Sequence, residues 1–122
     1  MIPDTNIIIA HLSGEDAIVQ AFIRWKQSGS LFLPTVIESE VLSFDKWNDT
    51  ERGITEQFLI DNFISVPFDR PIAYIAADVR RTVRIKFPDV AVAASALHLH
   101  VPLITRNVKG FKRIPDLDLR TI

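Results

Sequence analysis

The stretch Ile2-Pro3-Asp4-Thr5-Asn6-Ile7-Ile8-Ile9 decides how this chain is read. A short apolar strand runs out at Asp4 and a helix takes over, so a carboxylate, a hydroxyl and an amide follow one another at the strand's carboxyl end. In open α/β sheets that is where ligands sit. A carboxylate near the core is costly unless a cation or hydrogen-bond donors offset it, so the question is whether other acids converge on Asp4.

Outward from this stretch, strands and helices alternate. Ser13-Gly14-Glu15-Asp16 looks like a capping signal, and Ile18, Ala21, Phe22 and Trp25 follow at helical spacing until Ser28-Gly29. Leu31-Phe32-Leu33 reads as a buried strand closed by Pro34, and 35–47 is patterned as one helix. Thr50 is placed to cap a helix with Ile54, Phe58 and Leu59 inward and Gly53 weakening its first turn. Residues 64–68 form a third strand. Asp69-Arg70-Pro71 starts a helix whose stripe is Ile72, Ile75, Ala76, Val79 and Val83. Pro88 opens a helix, 89–98, apolar on nearly every side; 101–105 is a fourth strand and 117–122 a short edge strand. Strands separated by helices need crossover connections, which implies a mainly parallel sheet of four to five strands with helices on both faces, a three-layer α/β/α sandwich.

The chain has 122 residues, 48% hydrophobic, enough for one domain that buries about two-thirds of its unfolded surface. Without Cys there is no disulfide framework and no thiolate metal site, which fits a reducing compartment. Nothing approaches the roughly 20 apolar residues that span a bilayer, and the apolar run after Asp4 has no basic residues before it, unlike a signal peptide. The expectation is a cytoplasmic protein with no membrane partner. A net charge of −1 excludes a surface coated in positive charge but not a local basic face opposite an acidic site.

Three further polar positions matter. On a wheel of about 100° per residue, Val36, Ile37, Val41, Phe44 and Trp47 define an apolar arc that contains Glu40, while Glu38 and Asp45 fall opposite. Glu40 is therefore predicted to point inward, its alternative being an arc-edge glutamate that reaches water or pairs with Arg. Asp89 stands in the first turn of the most apolar helix, where dipole stabilisation alone accounts for many acids. Arg106-Asn107 occupies the exit of the fourth strand, either as a second strand-end polar group or as a plain turn. Three acids on one sheet rim repel one another without a cation. Oxygen donors suit Mg²⁺ or Mn²⁺, and such a site is adapted to phosphodiester hydrolysis.

With these residues in view, the chain resembles the PIN-domain ribonucleases, most closely the VapC toxins of toxin-antitoxin pairs. The likeness rests on Asp4-Thr5-Asn6, on Ser39-Glu40-Val41-Leu42, on the run from Lys86-Phe87-Pro88-Asp89 through Leu97, and on Leu103-Ile104-Thr105-Arg106-Asn107-Val108-Lys109-Gly110-Phe111. The resemblance covers the whole chain, and four motifs in order are specific where each alone is weak. It implies an α/β/α domain that binds Mg²⁺ or Mn²⁺, cleaves RNA, forms a homodimer and is inhibited by a cognate antitoxin. Asp4, Glu40 and Asp89 match the three principal acids. Thr5 and Asn6 match the polar residues that steady the first, and Thr105 matches the last motif's hydroxyl. The departure is the fourth acid, often an Asp at the position of Asn107 or of Gly110; Asn107 would serve as a neutral auxiliary without charge, which bears on a second metal.

Arg80, Arg81, Arg84 and Lys86 lead up to Asp89, with Arg80 and Arg84 one turn apart, and Lys109, Lys112 and Arg113 follow Asn107. Arg84 is a candidate for substrate phosphate; its alternative is the solvated face of an amphipathic helix. Arg106 either meets phosphate or pairs with an acid. His11, His98 and His100 lack ligand spacing; His98 and His100, two apart and diverging on a helix, are assigned surface or helix-end roles. The rival function is a degenerate PIN domain that binds RNA or a protein without cleavage. A phosphohydrolase with Asp4 as nucleophile ranks lower, because its usual second Asp is Asn6 here.

Overall fold

A computed structural model describes residues 1–122. Five strands and six α-helices alternate: β1 (Ile2–Pro3), α1 (Thr5–Leu12), α2 (Asp16–Ser28), β2 (Phe32–Pro34), α3 (Thr35–Leu42), α4 (Asp49–Asn62), β3 (Ile64–Val66), α5 (Arg70–Thr82), α6 (Phe87–Leu99), β4 (Leu103–Ile104) and β5 (Leu119–Arg120). A short 3-10 turn, Phe111–Arg113, lies between the last two strands. All strand pairs are parallel: β1 lies beside β4, β4 beside β5, and β2 beside β3. The two ladders meet where Met1 N donates to Ser30 O and Phe32 N donates to Met1 O, both at 2.9 Å. The strands form a three-stranded sheet, β1-β4-β5, and a two-stranded one, β2-β3; the Met1 bonds alternate as in a parallel pair and set the two edge to edge in the order β3-β2-β1-β4-β5.

From β1 the chain moves outward through β2 to β3, then returns past β1 to β4. Because such crossovers are right-handed, reversing direction moves the connecting helices to the other face. The result is the expected α/β/α arrangement, with the order switching between β1 and β4. Its core joins Ile2, Leu33, Val66 and Leu103 of the strands to Ile8, Ile37, Leu59, Ile72 and Val90 of the helices. In α6 every residue from Val90 to Ala96 is buried, which explains its lack of a polar face.

Several boundaries differ from expectation. The helix read over 35–47 stops at Leu42, where Ser43 Oγ donates to Glu40 O and the Trp47 indole donates to Val41 O at 2.9 Å. These donors satisfy carbonyls that a continuing helix would have used. Asn48, not Thr50, then caps α4 in a reciprocal capping box with Glu51. The shifted start turns Thr55 and Leu59 inward and leaves Ile54 63% exposed, against the inward reading. Ser13 closes α1 instead of opening α2, and Gly14 makes the link at φ +81°, a value costly to side chains. His11, in the last turn of α1, is half-buried and lies stacked on Phe22 and Phe58.

Candidate functional site

Asp4 caps the amino end of α1 in extended backbone (φ −70°, ψ 165°), a conformation that its place directly after β1 imposes. Its Oδ1 accepts from Thr5 N at 2.8 Å and its Oδ2 accepts from Thr105 Oγ1 at 2.9 Å. Thr105 is itself buried at the exit of β4 and accepts from Asn107 N at 3.0 Å. One carboxylate therefore joins the ends of the two strands between which the sheet order reverses, the place where open α/β sheets bind ligands.

Glu40 reaches the same rim from α3. Its Oε1 accepts from Thr5 Oγ1 at 2.9 Å, so Thr5 serves Asp4 with its amide and Glu40 with its hydroxyl. The prediction that Glu40 points into the core is corrected, since the side chain is exposed. Phe44 and Trp47, which helped to define the arc, lie beyond the end of α3 and cannot orient a helix they are not part of. Glu38, expected outside, is half-buried.

Asp89, in the first turn of α6, is half-buried. Partial desolvation raises its carboxyl above the usual range; the charge of Asp4 adds to this and Lys86 opposes it. Glu40 is raised by desolvation too, with the Thr5 hydroxyl opposing and the charges of Asp4 and Asp89 reinforcing. Glu40 thus feels both Asp4 and Asp89, and Asp89 feels Asp4, as like charges, although they come from three separate segments. None is offset by a cation in an ion pair: the three ion pairs present are Arg52–Glu56, Arg106–Glu15 and Arg120–Asp118.

Of the supporting residues, Asn6 is exposed and its side chain makes no hydrogen bond to Asp4. Arg106 grips Glu15 with both Nη atoms, one of them at 2.9 Å, so the alternative of pairing with an acid describes it. Asn107 and Asp89 line a cleft with Arg84, Lys86, Lys109, Gly110 and Arg113. Sequence reasoning noted the two basic runs separately and missed that they face each other, because no periodicity connects residues of different loops.

The donor set fits a hard divalent cation in chemistry: three carboxylates, an amide oxygen and hydroxyls, with neither thiolate nor imidazole. No three of the carboxylates are already closed around a single point. Mg²⁺ does not require that, since one or two carboxylates with waters commonly hold it.

The PIN domain family model matches residues 1–117. Ribonuclease VapC of Rickettsia bellii is 30% identical across the whole chain and 96% of its own length. The toxin-antitoxin complex from Klebsiella pneumoniae contains a chain of TM-score 0.79 and 27% identity, covering 95% of this chain and 93% of that one. VapBC2 from Rickettsia felis, crystallised on a DNA fragment from its promoter, has TM-score 0.85 at 18% identity over 99% and 97% of the two chains, a likeness of fold alone.

Proposed function

The chain belongs to the PIN domain family, and from that premise we propose that it is a single-domain, Mg²⁺- or Mn²⁺-dependent endoribonuclease. In this reading it acts in the cytoplasm as the toxin of a VapBC-type pair, forms a homodimer and is held in check by a cognate antitoxin. The observation that carries the proposal is Asp4, clasped between Thr5 N and Thr105 Oγ1 at the switch point, with two more acids raised towards protonation beside it. The antitoxin rests on likeness to the Klebsiella complex and to VapC proteins, and co-purification with the product of a neighbouring reading frame tests it.

In this mechanism Asp4, Glu40 and Asp89 hold the ion, and Asn107 offers a neutral oxygen. When bound, a divalent cation offsets charge on a phosphodiester and makes water more acidic. Thr5 and Thr105 keep Asp4 and Glu40 in place through their hydroxyls, as outer hydrogen bonds commonly do for ligating groups. One carboxylate of this set would take the proton of the attacking water. Arg84 meets substrate phosphate. Arg106 follows Thr105 and is engaged with Glu15, and Asn6 presents an amide at the surface.

Purified protein is expected to cut RNA with Mg²⁺ or Mn²⁺ and to lose at least about 100-fold in rate in Asp4→Asn, the range of removing a key electrostatic group. Equal rates in the two proteins, or no cleavage with any divalent ion, would end the proposal. The rival, a PIN domain that binds without cutting, has Asn107 and Gly110 in its favour. Calorimetric titration with Mn²⁺ separates the two: no binding supports the rival.

A further inference from the structure

Two segments distant in sequence wall the cleft beside Asp89. Arg84, Ile85 and Lys86 come from the link between α5 and α6, and Asn107, Lys109, Gly110 and Arg113 from the chain after β4. Arg113 Nη2 donates to Arg84 O at 3.1 Å, so the guanidinium of one wall is tied to the backbone of the other. None of Arg84, Lys86, Lys109 and Arg113 belongs to an ion pair, and all four are exposed. The floor is polar and open: Asn107 and Gly110 carry no charge, and nothing lies within 4 Å of where a Cβ on Gly110 would stand. Four cations line this trough and Asp89 is the one carboxylate among them, so the cleft carries an excess of positive charge that a further anion would offset.

The charge is also one-sided. α1, which Asp4 caps, and α3, which carries Glu40, contain neither Lys nor Arg. A single strand crossing the rim meets a cluster of unpaired cations on the Asp89 side, Arg106 at the exit of β4 being engaged with Glu15. We infer that this cleft seats backbone phosphates of the RNA next to the scissile one, gripping the strand on the Asp89 side of the cut. The inference rests on the nuclease reading for which phosphate is scissile. Lys86, Lys109 and Arg113 thereby join Arg84 as substrate-positioning residues, and chelation by the acids is not required for them to act.

Binding can be read apart from cleavage. In an Asp4→Asn background, fluorescence anisotropy with a labelled single-stranded RNA is measured across a range of NaCl concentrations. Arg84→Ala combined with Lys109→Ala is expected to weaken binding about tenfold, as for two solvent-exposed ion pairs. The slope of log affinity against log salt should flatten by about 1.4, about 0.7 for each lost contact on a single strand. Arg24→Ala combined with Arg70→Ala removes the same charge from exposed positions outside the cleft and should stay within twofold. Circular dichroism melting establishes that each variant is folded. Equal losses in both pairs, unchanged binding in the cleft pair, or no RNA binding at all overturns the inference. A cleft-dependent affinity in a protein that never cuts RNA supports the cleft and sinks only the nuclease reading.

Discussion

Thr105 shows how much rests on one hydroxyl. It is 1% exposed, donates to Asp4 Oδ2 and accepts from Asn107 N. Thr105→Val keeps the shape but strands a carboxylate oxygen and an amide, with an expected cost of about 1–3 kcal/mol in urea unfolding. A cost near zero would mean that water replaces the hydroxyl and that Asp4 is not held as described. Gly110 offers the reverse experiment. Its backbone is helical at φ −76° and an added Cβ meets nothing, so Gly110→Asp should fold with an unchanged midpoint while tightening Mn²⁺ in calorimetry. A large loss of stability would show that the space is not free. Asp4, Thr5 and Asn107 were legible as candidates because strand ends announce themselves by a change from apolar to polar residues, and Thr105 was legible only through the family resemblance. Glu40 was legible as a candidate but not in its orientation, since the arc used to aim it borrowed Phe44 and Trp47 from beyond the end of the helix.

Among elements, the junction of α1, α2 and α4 was the least legible. The His11 ring lies 4.2 Å from that of Phe22 and 5.1 Å from that of Phe58, one residue from each helix, with Nδ1 buried and unpartnered. A lone His in a sequence carries no sign of such stacking, because its partners lie in helices whose boundaries must first be known. Desolvation lowers the His11 pKa, so as pH falls the unfolded chain takes up its proton before the folded one. Stability is full above the ordinary His value of about 6.5 and declines as pH drops through the window below it. His11→Phe retains the stack and removes the titration, so its melting temperature should fall less than that of the wild type between about pH 7 and 5. Parallel curves would assign the acid sensitivity to other groups. The end of α3 gives a second check at this scale. Trp47→Phe deletes the indole donor to Val41 O and should destabilise by about 1 kcal/mol.

At the scale of the molecule, a net charge of −1 conceals two opposed regions, an acidic rim at the switch point and a basic trough beside it. The α/β class was legible from the alternation of strands and helices. The strand order was not, because strands of two or three residues carry too little pattern to choose their neighbours. The acids raise the energy of the folded chain: desolvation first, and like charge after it, hold the pKa values of Glu40 and Asp89 above the usual range, so the cost is full once pH exceeds them and is relieved as pH falls towards the ordinary carboxylate range. A cation that binds only the fold reverses this penalty, giving about 2.7 kcal/mol at 100 times its dissociation constant. The wild type should therefore melt several degrees higher in Mn²⁺ than in EDTA at pH 7.5. Glu40→Gln, which lacks one of the repelling charges, should melt at or above the wild type in EDTA and gain less from Mn²⁺. If the two proteins respond to Mn²⁺ alike, the ion is binding elsewhere and the rim is not its site.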